Sequence, residues 1–247
     1  MDITKYNTNS MSYYLNDKIS DLWNRFSFAF TDLDCKKCME RVPNYYLKPT
    51  PNKILFIGLN PAFQDNNKNI NFSFTPPFSG ERMNEIAVDN ENSKTKGKSN
   101  YYAKFYNVLH DISDELINEG SSQKKFEHCD MFLMRETNSK IVKQMVEKKE
   151  GGLNQFGLEQ IDVLKSYIED AKPSIIIVPN AMSADYYQKY VLENQSINKE
   201  KGVYYTEINK RKVPTILCGS WQYGRLDRFT KEIILNHIKR IIKSHKE

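Results

Sequence analysis

Three short apolar runs, each closed by a residue that breaks regular structure, constrain this chain more than any other feature. KILFI at 53–57 lies between Pro51 and Gly58, SIIIV at 174–178 follows Pro173, and VPTILC at 213–218 ends at Gly219. Runs this short and this uniformly apolar suit strands covered on both faces rather than helices. A further run, MFLMR at 131–135, reads as the second strand in chain order, and VYYTEINKRKVPTILCGS reads as a hairpin turning near Asn209, its second arm being the fourth core strand. Helical periodicity fills the intervals. Leu15, Ile19, Leu22, Trp23 and Phe26 share a face within 12–30, and further helices are predicted at 100–119, 158–170, 181–193 and 227–243. Strands alternating with helices predict an α/β fold, a three-layer α/β/α arrangement around a central, mostly parallel four-stranded sheet. Residues 34–50 read as irregular, and 62–99 as a long polar stretch of the kind that is either functional or disordered. A length of 247 residues suits one domain over 1–247 with an N-terminal helical extension over 1–50.

Composition narrows the function classes. No run approaches the roughly 18 apolar residues of a membrane span, and the opening MDITKYNTNSMSYYLNDK lacks a basic segment followed by an apolar one. Four cysteines are few for a disulfide scaffold of this length. A cytoplasmic protein without membrane association is expected, and a monomer. The formal charge of +5 is concentrated in KRK at 210–212, in KQMVEKK at 143–149 and in the final helix at Arg228, Lys231, Lys239, Arg240 and Lys243. Such patches suit a polyanion, or are solvated faces.

In a parallel sheet the ligand lies beyond the carboxyl ends of the strands. Four loops therefore matter: GLNPAF, ETNSK, PNAMS and CGSWQYGRLD. Between Gly58 and Pro61, Asn60 has little freedom and either orients a water or ligand or closes the turn. Asn138 either faces the same crevice or caps the next helix.

The motifs in these loops resemble those of the uracil-DNA glycosylase superfamily. IGLNPA at 57–62 is similar to its first motif, in the Asn form of the mismatch-specific and single-strand-selective branches. PPFSG at 76–80 is similar to the Pro-Phe element, FLMRETNSK at 132–140 to the strand with Thr-Asn, and KPSIIIVPNAMSADYY at 172–187 to the strand and helix that follow. VPTILCGSW at 213–221 occupies the place of the strand entering a His-Pro-Ser-Pro loop. The likeness runs from Ile54 to about residue 242.

The resemblance implies a monofunctional DNA glycosylase that hydrolyses the N-glycosidic bond of uracil or a modified pyrimidine flipped out of DNA, without metal or cofactor. Asn60 would orient the hydrolytic water, since an amide cannot act as a strong base. Asn138 would read the base edge with its donors and acceptor. Gly58, Leu59, Ala62 and Ser220 would line the base pocket, and Phe78 by motif or Phe72 by distance from Pro61 would stack on the base unless these rings are core. Trp221, Gln222, Tyr223 and Arg225 would contact DNA and fill the gap left by the base, unless Trp221 too is core. Two departures bear on the substrate. Ala62 stands where the uracil-only branch has a bulky Tyr, and Cys218-Gly219-Ser220-Trp221 replaces the loop whose histidine stabilises the anionic base. Cys35-Lys-Lys-Cys38 is similar to the cluster-bearing branch, but Cys129 and Cys218 do not follow its spacing, so free thiols are expected in preference to a zinc or iron-sulfur site. A catalytically weak nucleic-acid-binding protein of the same fold, or a hydrolase of small nucleosides, is the alternative.

Overall fold

The computed structural model describes residues 13–63, 79–95, 126–218 and 228–244. Five strands form one sheet: β1 (Ile54–Gly58), β2 (Phe126–Asp130), β3 (Ile175–Val178), β4 (Tyr204–Ile208) and β5 (Arg211–Leu217), in the order β2-β1-β3-β5-β4. β1 pairs in parallel with β2 and β3, and β3 in parallel with β5. β4 is antiparallel to β5 at the edge. The sheet thus has five strands rather than four. The extra one is the first arm of the predicted hairpin, whose two-residue turn at Asn209 (φ 48°) and Lys210 (φ 68°) is left-handed at both positions. Such a turn matches the twist of the strands it joins, so the arm lies on the outer edge of β5.

Side-chain alternation along the strands builds the layers. On one face Leu55, Ile57, Ile176, Val178 and Val213 pack with Leu15, Ile19 and Trp23 of α1 (Tyr14–Phe26), with Phe156, Ile161 and Leu164 of α5 (Gln155–Ala171), and with Tyr187 of α6 (Ala181–Tyr190). On the other, Ile54, Phe56, Phe126, Ile175 and Ile177 meet Ile238 and Ile241 of α7 (Arg228–Ser244). Fully burying one such ring as Phe56 is worth about 2–3 kcal/mol. With α2 (Leu33–Met39), α3 (Gly80–Thr95) and α4 (Ser139–Val146), seven helices are present among the described residues. None is long and apolar enough to cross a membrane.

Three expectations are corrected. The second strand is Phe126–Asp130, not 131–135. Its FEHCD sequence hides it, because Glu127 and Asp130 are buried with polar partners (Thr50 N–H and Tyr167 Oη on Glu127, Asn44 Nδ2 on Asp130), leaving no apolar alternation to see. Residues 34–50 are not wholly irregular, since Asp32 caps α2 by accepting from the backbone N–H groups of Asp34 and Cys35. The polar stretch 62–99 contains α3, which docks through Met83, Ile86 and Ala87. The helix expected at 100–119 lies outside the described residues.

Candidate functional site

Beyond the strand ends, the chains leaving β1 and β2 stay zipped together. Gly58 and Leu59 carbonyls accept from Met131 and Phe132 N–H, and Pro61 O accepts from Glu136 N–H. A third segment, 41–46, closes the other side: Asn44 N–H donates to Leu133 O, and Gln160 of α5 accepts from Leu133 N–H. MFLMR is therefore apolar because it is wrapped by three elements, and all five of its residues are buried.

Asn60 sits in this framework, half-buried beyond the carboxyl end of β1, an interior strand between β2 and β3. Its side-chain Nδ2 faces three backbone carbonyls, Pro61 O at 3.1 Å, Met134 O at 3.3 Å and Glu136 O at 2.5 Å. Three acceptors on one side fix the amide orientation, since only nitrogen carries protons to donate. The oxygen Oδ1 points away from them and has no hydrogen-bond donor among the described residues. Asn60 thus closes the loop with one end of its amide and presents an acceptor with the other.

Four side chains outside the expected set of site residues, Arg41, Phe63, Glu136 and Thr137, hold this loop. Arg41 donates to Arg135 O at 2.7 Å and pairs with the Glu136 carboxylate at 2.8 Å, while its guanidinium stacks 3.7 Å from the centroid of the Phe63 ring. The other Glu136 oxygen accepts from the N–H groups of Thr137 and Asn138, and Thr137 Oγ1 donates to Phe63 O. One flat cation therefore ties both loops together through charge and ring stacking. Glu136 and Thr137 lay within a quoted motif, but no spacing announces Arg41, whose hydrogen-bond partners are almost a hundred positions away.

Behind the loop a buried polar chain runs from Arg135 to Asp130. Arg135 Nε donates to Val42 O and Nη2 to Asn90 Oδ1. Asn90 Nδ2 donates to Asn44 Oδ1, and Asn44 Nδ2 to Asp130 Oδ2.

Of the residues expected at the site, the structure brings together Gly58, which is buried and ends β1, with half-buried Leu59 and Asn60 and exposed Ala62. Asn138 is exposed and is the N-cap of α4, its Oδ1 accepting from Lys140 N–H at 3.0 Å. The capping reading is therefore realised, with Nδ2 unengaged among the described residues. Asn180 of the third loop likewise caps α6 through Ser183 N–H. Phe72, Phe78, Ser220, Trp221, Gln222, Tyr223 and Arg225 lie outside the described residues.

All four cysteines are buried, and none forms a disulfide. Cys129 packs on the α1 face of the sheet with Cys35 and Cys38, whereas Cys218 packs on the α7 face, so the four do not converge. Among the described residues no three His, Cys, Asp or Glu side chains are grouped to hold a metal ion. Burial, reinforced by the hydrogen bond with Asp32, pushes the Cys35 thiol up to about 11, and burial pushes Cys38 up to about 12. Two outcomes are expected. Iodoacetamide at mildly alkaline pH should leave both thiols unmodified until denaturant is added. Stability should also fall as pH rises from about 9 toward 12, because the unfolded thiols ionise near 9 while the folded ones stay protonated. Buried Tyr45, raised to about 12 mainly by desolvation, adds in the same direction. A series of thermal melts against pH checks the slope, and a flat profile over that window would show that these groups ionise without unfolding.

The chain matches no protein-family model and no curated protein.

Proposed function

We propose that this protein is a DNA glycosylase of the uracil-DNA glycosylase type, cleaving uracil or a modified pyrimidine from DNA. The observation that carries the reading is Asn60, at the end of the interior strand β1, with its nitrogen held by three carbonyls and its oxygen left as an acceptor. A water bonded to such a fixed oxygen is oriented rather than deprotonated, which suits attack on a sugar carbon that already bears positive charge as the base departs. The base edge would be read by Asn138, whose Nδ2 offers two donors and whose Oδ1 keeps a second lone pair beside its capping bond. Incubation with single-stranded and duplex oligonucleotides bearing uracil, hypoxanthine or 5-substituted pyrimidines, followed by alkali, tests the proposal. Strand breaks at the modified position are expected, and intact strands throughout would end it.

Asn138→Ala is expected to lower stability by about 1 kcal/mol through loss of the cap and to blunt discrimination between bases by roughly 1–3 kcal/mol. Competition kinetics beside a melt separates the two effects. The capping bond also favours a second reading, a nucleic-acid-binding protein of this fold without turnover. In that case Asn138→Ala would change stability alone.

A further inference from the structure

The opposite end of the sheet carries a second charged feature. A groove of about 200 Å³ is lined by Lys172, Ile208, Asn209, Arg211 and Val213, where the chain enters β3 and turns from β4 into β5. Lys172, Lys210 and Arg211 are all exposed there. Arg211 Nη1 donates to Lys172 O, as does the backbone N–H of Asn52, so the chain before β1, the chain before β3 and the hairpin are joined at one carbonyl. None of the three cations is ion-paired among the described residues. Glu207 stands opposite Lys212 in the hairpin register, and Glu169 lies in the last turn of α5, exposed and unpaired with them.

Backbone conformation is the second observation. Lys172 (φ 40°) and Lys210 (φ 68°) both occupy the left-handed region. Lys172 stands at the end of α5, where glycine is the usual residue, and Lys210 at a turn position where glycine is preferred. A side chain with a Cβ is strained there, so the chain holds two lysines where glycine would be less strained. The negative end of α5 accounts for a cation at Lys172 but not for those at Lys210 and Arg211.

We infer that this groove binds the phosphate backbone of duplex DNA, at a place distinct from the Asn60 loop. The five-residue strand β1 lies between Asn52 and Asn60, and its extended backbone alone spans roughly 16 Å. The groove therefore contacts a second stretch of DNA, holding the protein on unmodified duplex while the other end samples bases. This assignment rests on the DNA-directed reading above, and it does not require base release.

The test is fluorescence anisotropy with the full-length chain and a fluorescein-labelled unmodified duplex, titrated with KCl from about 50 to about 200 mM. Lys210→Glu/Arg211→Glu is expected to weaken binding about tenfold or more and to reduce the slope of log K against log[KCl] by about 2, near 0.9 for each phosphate that is no longer neutralised. Lys172→Gly relieves the left-handed strain. It should melt at or above the wild-type temperature and still bind more weakly, which separates a weakened DNA interface from a failure to fold. Wild-type affinity and slope in both groove variants would overturn the inference, as would tight binding of an RNA hairpin with none of the duplex. Salt-dependent duplex binding that disappears in these variants, from a protein that releases no base, would uphold the groove and remove only the glycosylase reading.

Discussion

Asn60→Asp is expected to lower both stability and turnover, although an aspartate is the better base. The Nδ2 of Asn60 faces the carbonyls of Pro61, Met134 and Glu136. A carboxylate has no donor, so one of its oxygens would sit against three acceptors, and Met134 O and Glu136 O would lose the amide donor while Pro61 O keeps Glu136 N–H. A cost of about 2–4 kcal/mol follows, the scale of buried polar groups left unsatisfied. Asn60→Ala removes the donor without adding charge. It should cost less stability and slow single-turnover base release on the order of a hundredfold, by loss of the group that orients the water. Denaturant melts beside single-turnover kinetics on both variants give the comparison. An Asn60→Asp protein as stable as wild type and faster would show that the amide is not held by these carbonyls. An Asn60→Ala protein with an unchanged rate would remove Asn60 from the chemistry.

Arg135→Ala should be the most destabilising single change in the polar interior, by about 3–4 kcal/mol. The residue is 6% exposed and donates to Val42 O and to Asn90 Oδ1, at the head of the chain that runs through Asn44 to Asp130. Removing it takes the donor from the buried Val42 carbonyl and breaks the link to half-buried Asn90, and in a buried setting an unmade hydrogen bond costs more than a made one contributes. Arg135→Lys should recover only part of the loss, since one ammonium cannot span two acceptors set for a guanidinium fork. Urea denaturation checks this through a lower midpoint at unchanged slope. A loss under about 1 kcal/mol would mean that the chain of hydrogen bonds adds little to stability. The variant should also loosen the Asn60 loop, because Arg135 lies between Met134 and Glu136, whose carbonyls hold Asn60.

Local pattern alone determined the α/β class, the strands at β1, β3 and β5, the hairpin near Asn209, and the helical spans α1, α5, α6 and α7. Each of these depends on apolar periodicity or on breakers a few positions apart, which short-range physics makes readable. The carboxyl end of β1 was readable as a site for the same reason, because Gly58, Asn60 and Pro61 are adjacent. Tertiary structure decided the rest. β2 is a strand because Glu127 and Asp130 find buried polar partners, so its residues carry no apolar alternation, while the apolar MFLMR is a wrapped connection. Which end of the Asn60 amide faces protein depends on Met134 and Glu136, more than seventy positions away. Arg41 became part of the loop only once Phe63, Arg135 and Glu136 were brought to it. Hydrogen bonds and ion pairs between distant segments leave no periodic trace, since their partners are chosen by the fold and not by spacing along the chain.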